Sequence, residues 1–303
     1  QKGIKSWTGL HVVVAGGSSG LGLELACAVA RRSCGAVTVI ARDQTRLKQA
    51  VKKIEQAGGD NGVRVSAVSA DLTEPNDVIA ALDEAERKAG GPINVLVHCA
   101  GGARPGYTFD LDDDIFHRQM QLNYMSLVYV VREVARRMIT KRIPGYIVTA
   151  NSMGGLLGTF GYAAYTPAKM AARGFMECIY YDLHPHGIRS SILYAPDMAT
   201  PGFAEEGRTK PPETRETTET ATVFDPKQVA ESTMRGLESG RRLIFHGFEG
   251  LLLVSLCSGG SPHATLFEFL AMSILRLVMQ CYILTWSNVI TRSIRRSANL
   301  RSS

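Results

Sequence analysis

The stretch Ala15-Gly16-Gly17-Ser18-Ser19-Gly20-Leu21-Gly22 lies between an apolar run, His11–Ala15 (HVVVA), and a helical pattern over residues 21–32. Glycines at 16, 20 and 22 let the backbone turn tightly and approach an anion closely. The helix that follows aims its free N–H groups and positive dipole end at the same place. A glycine triplet by itself also serves plain helix–strand packing. With a strand before it and a helix after it, the stretch reads as a cradle for a pyrophosphate, and Ser18 and Ser19 can add phosphate contacts.

Working outward, further short apolar runs recur at residues 37–41 (VTVIA), 63–69, 93–98, 146–150 (YIVTA), 190–195 and 242–246. Their apolar character is continuous rather than alternating, which predicts strands buried on both faces, as in a parallel sheet covered by helices. Helical patterns fill the gaps at residues 43–57 and 75–89. Asp71-Leu72-Thr73 before Glu74-Pro75, and Asp225 before Pro226, pair a capping residue with a proline at a helix start. The order predicts an α/β fold with a doubly wound, Rossmann-type parallel sheet of about seven strands. Ligands are then expected at the carboxyl ends of the strands. The 303 residues fit one dinucleotide-binding domain over residues 1–250, followed by an apolar helical extension over 251–303.

The tip of the second strand bears on the nucleotide. An acid there binds the two ribose hydroxyls of NAD and repels a 2′-phosphate, but the tip is Ala41, and Arg42 can offer its planar fork to that phosphate. Asp43 stands just before a helix and is the natural N-cap. Arg46 can add a phosphate contact, so NADPH is the expected cofactor. Asp71, at the end of the third strand, can accept from an adenine amino group with Leu72 adding a backbone contact, or it can cap a helix.

Tyr165-Thr166-Pro167-Ala168-Lys169 puts a phenol and an ammonium four apart, on one helical face. Tyrosine ordinarily titrates near about 10, and a cation one turn away stabilises its phenolate, which predicts a pKa drawn towards the working range. Ser152 lies just past the strand at 146–150, within reach of the same small volume, where its hydroxyl can bond a substrate carbonyl. Asn123, in a helical stretch, can hold a water that links Lys169 to solvent.

This set resembles the short-chain dehydrogenase/reductase family over about residues 9–250. The family's glycine motif matches Gly16, Gly20 and Gly22, and its catalytic four match Asn123, Ser152, Tyr165 and Lys169. Its Asn-Asn-Ala-Gly element appears as His98-Cys99-Ala100-Gly101, without the two asparagines that usually brace the central sheet. Its Pro-Gly after the sixth strand appears as Pro196-Asp197. The resemblance implies cofactor contacts at Leu21, Ala100, Gly101, Tyr165, Lys169, Pro196 and Met198, with Thr200 where a threonine usually touches the nicotinamide amide. It also implies a homo-oligomer, dimer or tetramer, paired through the helices carrying Asn123 and Tyr165. Within the family, Cys99-Ala100-Gly101, residues 160–165 (FGYAAY) and 196–203 (PDMATPGF) are similar to the 3-ketodihydrosphingosine reductases. That likeness implies NADPH-dependent reduction of a long-chain sphingoid ketone, at the endoplasmic reticulum membrane with the active site facing the cytosol. The other readings are a reductase of a different lipid ketone, such as a steroid or 3-ketoacyl chain, and a nucleotide-binding scaffold without chemistry.

Two stretches break the pattern. Residues 204–222 contain no large apolar side chain, which predicts a mobile loop, either a substrate lid over about 198–224 or a surface insertion. Residues 251–257 (LLLVSLC) and 266–290 are too apolar for the outside of a finished domain. Glu268, Arg276 and Gln280 mark one polar stripe, which suits a helix lying in a bilayer interface, a re-entrant segment or an oligomer contact, but not a spanning helix. Arg292, Arg295, Arg296 and Arg301 follow without an acid and suit anionic headgroups.

Composition excludes several classes. The hydrophobic share is 45% and glycine has no period, which excludes a disordered or collagen-like chain. The net charge of +6 is largely explained by the basic tail, and no nucleic-acid motif is present. Mean hydropathy is −0.01, with the apolar excess concentrated after Leu251. Six cysteines form no disulfide scaffold or metal-ligand spacing and are expected as reduced thiols, and no metal is expected. His184-Pro185-His186 reads as a helix stop, residues 110–114 (DLDDD) as an acidic helix start, and Phe267 and Phe269 as packing or interfacial residues. The chain begins at Gln1 rather than Met, which leaves room for a targeting or anchoring segment ahead of it.

Overall fold

The structure, a computed structural model, describes residues 3–218, 222–257 and 292. Among these, seven parallel strands form one sheet: β1 (His11–Ala15), β2 (Ala36–Ala41), β3 (Arg64–Ser69), β4 (Val95–His98), β5 (Tyr146–Ser152), β6 (Arg189–Ala195) and β7 (Leu243–Phe245). Their order is β3-β2-β1-β4-β5-β6-β7. The chain winds outward from β1 through β2 to β3, then returns to lay β4 on the other side of β1. That reversal opens a crevice at the carboxyl ends of β1 and β4, where Ala15 pairs with His98 and the Cys99 N–H donates to the Ala15 carbonyl at 2.7 Å.

β-Branched residues explain why the central strands hold this position. In β1, Val12, Val13, Val14 and Ala15 are all fully buried, and successive side chains enter opposite faces. Val12 and Val14 pack under α1 (Gly20–Ala30), α2 (Gln44–Gly58) and α9 (Pro226–Glu238). Val13 and Ala15 pack under α3 (Pro75–Ala89), α5 (Ser126–Thr140) and α6 (Tyr165–Leu183). Each fully buried Val, Leu or Ile in these layers stabilises by about 1.5–3 kcal/mol. Arg137 of α5 bonds Asp83 at 2.7 Å and Glu86 at 3.0 Å, tying α5 to α3.

Several local expectations hold. Asp43 caps α2, accepting from the N–H groups of Thr45 and Arg46, and Asp225 caps α9, accepting from Lys227. Asp112 stands at the N-cap of the acidic start of α4 (Asp113–Met120), and His184–His186 form one 3-10 turn that ends α6. In place of the missing asparagines, His98 Nε2 lies 3.4 Å from Ser126 Oγ and links β4 to α5.

Two expectations fail. Asp71 does not cap α3: Glu74 occupies the N-cap, and Asp71 folds back onto the N–H and hydroxyl of Thr73 at 2.9 and 2.7 Å. Among the described residues the stretch after β6 is largely helical rather than a loop. Thr200 caps a short helix, α7 (Pro201–Gly207), and a second, α8 (Pro212–Thr218), follows. Buried polar groups hold them where apolar ones are missing: Lys210, Glu213 and Thr214 are all buried.

α10 (Gly247–Cys257) begins the apolar extension, and its Val254 is buried in the layer under α6. The remaining apolar stretch, its polar stripe and the arginines after Arg292 lie outside the described residues. Among the described residues no helix is long and apolar enough to cross a membrane.

Candidate active site

A cavity of about 660 Å³ opens at the carboxyl ends of the central strands, within the size range of cofactor and small-ligand sites (about 300–1,000 Å³). Gly16, Ser18, Ser19, Gly20, Leu21 and Gly22 form one wall. Gly16 has φ +84°, and a Cβ there would lie 2.5 Å from the Ala100 nitrogen, so the turn exists only with glycine. At Gly20, φ +54°, an added Cβ would meet only the Thr200 side chain, 3.4 Å away. No side chain caps the N-terminus of α1 and its first turn holds no acid, so its N–H groups are left for an anion. These features fit a dinucleotide pyrophosphate.

Arg42, Arg46, Asp71 and Leu72 line the far end. The Asp43 carboxylate is engaged by its cap, whereas the Arg42 side chain is 69% exposed and its Nη1 stands 3.8 Å from Asp71 Oδ2. Burial raises the Asp71 pKa, but the Thr73 hydrogen bonds and Arg42 outweigh it and hold the carboxyl below its usual range. This end carries an exposed guanidinium paired at a distance with an ionised acid. Ala100, Gly101, Pro196, Met198 and Thr200 line the other end.

Ser152, Tyr165 and Lys169 converge between them. Ser152 ends β5, and its Oγ accepts from the Gly154 N–H at 3.0 Å. A Cβ on Gly154 would lie 3.4 Å from Ser152 Oγ and 3.7 Å from Tyr165 Cε1, so the hydroxyl and the ring flank one point. Lys169 Nζ donates to the Ala150 carbonyl at 3.2 Å and lies 5.7 Å from the Tyr165 ring centroid. Asn123 does not line the cavity. It is buried behind it, in a π-helical turn (Gln121–Met125) that rotates its side chain inward. Its Nδ2 donates to the carbonyls of Gly102 and Gln119, and its Oδ1 accepts from the Gly102 N–H at 3.1 Å.

The expected electrostatics need correcting. Burial drives the Tyr165 phenol above its ordinary value, and the hydrogen bond from Ser152 only partly opposes it. Glu206 and Asp197 add to the rise, while burial lowers the neighbouring Lys169 ammonium to about 8. Tyr165 therefore stands in the pocket as a protonated donor.

Sequence reasoning missed three contributions. Asn151 is buried; its Nδ2 donates to the Lys169 carbonyl at 3.0 Å and its Oδ1 accepts from the Ser152 N–H at 2.8 Å, holding Ser152 and Lys169 in one frame. Its place just before Ser152 was the available signal. Tyr162 donates to Glu206, and Lys210 pairs with Glu206 at 3.0 Å while stacking on Phe203. Tyr107 donates to Glu213 at 2.8 Å, fastening α8 to the opposite side. Charged residues in a stretch without large apolar side chains carry no sequence signal of burial.

A family model described as short chain dehydrogenase matches residues 10–211. The chain is 34% identical over 298 residues to the 3-ketodihydrosphingosine reductase of Bos taurus, covering 97% of this chain and 89% of that one. It is 34% identical over 288 residues to the 3-dehydrosphinganine reductase of Danio rerio, covering 94% and 86%. Among solved structures, a short chain dehydrogenase/reductase from Burkholderia phymatum in complex with NAD matches with a TM-score of 0.72, over 84% of this chain and 94% of that one. At 23% identity this is a likeness of fold.

Proposed function

This chain belongs to the short-chain dehydrogenase/reductase family, and on that premise we propose that it reduces 3-ketodihydrosphingosine to dihydrosphingosine with NADPH, a step of sphingolipid synthesis. The observation that carries the reading is the meeting of Ser152, Tyr165 and Lys169 in one cavity beside the glycine cradle. The two relatives named for this reaction, alike over nearly the whole chain, supply the substrate.

The glycine wall and the N-terminus of α1 would hold the pyrophosphate, Arg42 the 2′-phosphate, and Lys169 the nicotinamide ribose. Bound there, the dinucleotide supplies the hydride. Ser152 and Tyr165 hold the keto oxygen, and Tyr165 passes its phenolic proton to that oxygen as the carbonyl carbon is reduced. Asn151 fixes Ser152 against Lys169, so the donor pair enters the reaction already positioned. General acid catalysis of this kind contributes about 10²–10⁴-fold.

The apolar sequence after Leu251 and its arginines support a place on the endoplasmic reticulum membrane, with the cavity facing the cytosol. Pairing into a homo-oligomer through the helices carrying Asn123 and Tyr165 belongs to the same reading. The test is NADPH oxidation with 3-ketodihydrosphingosine, a steroid ketone and a short ketone, with and without liposomes. The expected result is turnover of the sphingoid ketone, increased by liposomes. Preference for either other ketone overturns the substrate.

A further inference from the structure

The cavity beside Tyr165 carries more acid than base. Asp197, Glu205 and Glu206 line it, and Glu249 lies close enough to Asp197 for their charges to act on each other. Most of this charge is answered. Glu205 pairs with Arg208 at 2.7 Å. Glu206 accepts from Tyr162 and pairs with Lys210 at 3.0 Å, and the Lys210 ammonium lies over the rings of Phe203 and Tyr162 at 4.6 and 5.8 Å.

Asp197 is the exception. Among the described residues no hydrogen bond or ion pair reaches its carboxylate; Lys210, held by Glu206, acts on it only through its field. Burial pushes its pKa up, Glu206 and Glu249 push the same way, and Lys210 opposes. The backbone is held in place: the Asp197 carbonyl accepts from the Phe224 N–H at 2.9 Å, and Met198 bridges to Phe224. Ala195, two residues before Asp197, is the register partner of Ser152 on the neighbouring strand, so Asp197 lines the same end of the cavity as Ser152 and Tyr165, and Asp197 and Glu206 both favour the protonated phenol. A partly buried carboxylate without a partner is unfavourable unless a ligand brings the opposite charge.

The substrate read above carries an ammonium on the carbon next to its keto carbon. With the keto oxygen held by Ser152 and Tyr165, that ammonium enters the part of the cavity that Asp197 lines. Resting on the sphingoid-ketone reading, we propose that Asp197 is the specificity-determining residue that takes the 2-ammonium and so selects 2-amino-3-ketones over neutral long-chain ketones. The arriving positive charge also offsets the carboxylates' pull on Tyr165 and eases release of its proton to the keto oxygen.

The test compares kcat and KM for 3-ketodihydrosphingosine and for the same long-chain 1-hydroxy-3-ketone lacking the amine. It uses the full chain as wild type, Asp197→Asn and Asp197→Glu. A charge-assisted contact predicts that the wild type prefers the amino ketone by about ten- to a hundredfold in kcat/KM. Asp197→Asn should erase most of that preference through KM, and Asp197→Glu should keep most of it. General structural damage lowers both ketones alike, so a preference unmoved in Asp197→Asn overturns the proposal. So does a wild type that reduces the two ketones equally well, a result that needs no variant to fold. A wild type inactive on both overturns the substrate reading and this role together.

Discussion

The Lys169 ammonium lies 5.7 Å from the centre of the Tyr165 ring and donates to the Ala150 carbonyl at 3.2 Å, so one side chain both fastens α6 to β5 and stands beside the phenol. Its own burial lowers its pKa to about 8. It is charged below that pH and neutral above it. We therefore expect kcat/KM, which reports the free enzyme, to decline as pH rises through about 8. A profile that stays flat to about pH 10, near the ordinary lysine value, counts against this role.

Tyr165→Phe removes the proton donor and leaves the ring. Turnover should fall by about 10²–10⁴-fold or more, with NADPH affinity and the circular dichroism spectrum nearly unchanged. Retained turnover in a steady-state assay would sink the assignment.

Arg42 is the exposed guanidinium at the far end of the cavity, 3.8 Å from Asp71, while Asp43 is engaged by its cap. Arg42→Ala should weaken NADPH by about ten- to a hundredfold, the loss of one charge-assisted contact, and NADH much less. Titration calorimetry with both nucleotides checks it; an equal loss removes Arg42 from the phosphate site.

Gly161 has φ +84°, and a Cβ there would lie 2.4 Å from Thr214 Oγ1, the group that donates to the Phe160 carbonyl. Gly161→Ala meets strain in both the backbone and the contact. It should lift α8, raise KM for the ketone and speed proteolysis within residues 201–218, at a stability loss of about 1–3 kcal/mol. Unchanged proteolysis would mean that α8 is held by other contacts.

Burial lowers the pKa of His11 to about 4 and of His98 to about 3. Unfolded histidine titrates near about 6.5, so between these values the unfolded chain binds more protons. The stability from keeping the two imidazoles neutral is whole above about 6.5 and is lost as pH falls towards 4 and then 3. The steepest slope is about 1.4 kcal/mol per pH unit for each histidine. Denaturant midpoints between pH 7 and 4.5 should fall accordingly, and His98→Asn should flatten the slope.

Much of the site was legible in the sequence because its chemistry is local. Gly16, Gly20 and Gly22 sit within one turn, Tyr165 and Lys169 within another, and Ser152 directly follows a recognisable strand. What could not be read depends on how the backbone turns in three dimensions. Asp71 looked like a helix cap until the backbone around Thr73 turned it away. Asn123 reads as a helical residue that can hold a water beside Lys169, and only the π turn sets it behind the cavity wall.

By itself, the sequence determined the doubly wound sheet, the tight glycine turns after its first strand and the one-turn spacing of Tyr165 and Lys169, since strand and helix periodicity and tight glycine turns are properties of neighbouring residues. The tertiary structure alone decided how charge is distributed around them. Whether Tyr165 is pulled down by Lys169 or pushed up by burial depends on how much water the packed α6 excludes. Likewise Glu213 and Lys210 are buried in a stretch with almost nothing apolar to bury, because Tyr107 reaches Glu213, and Tyr162 reaches the Glu206 that pairs with Lys210, from other parts of the chain. Electrostatic energies depend on burial and distance in three dimensions, and a residue pattern carries neither.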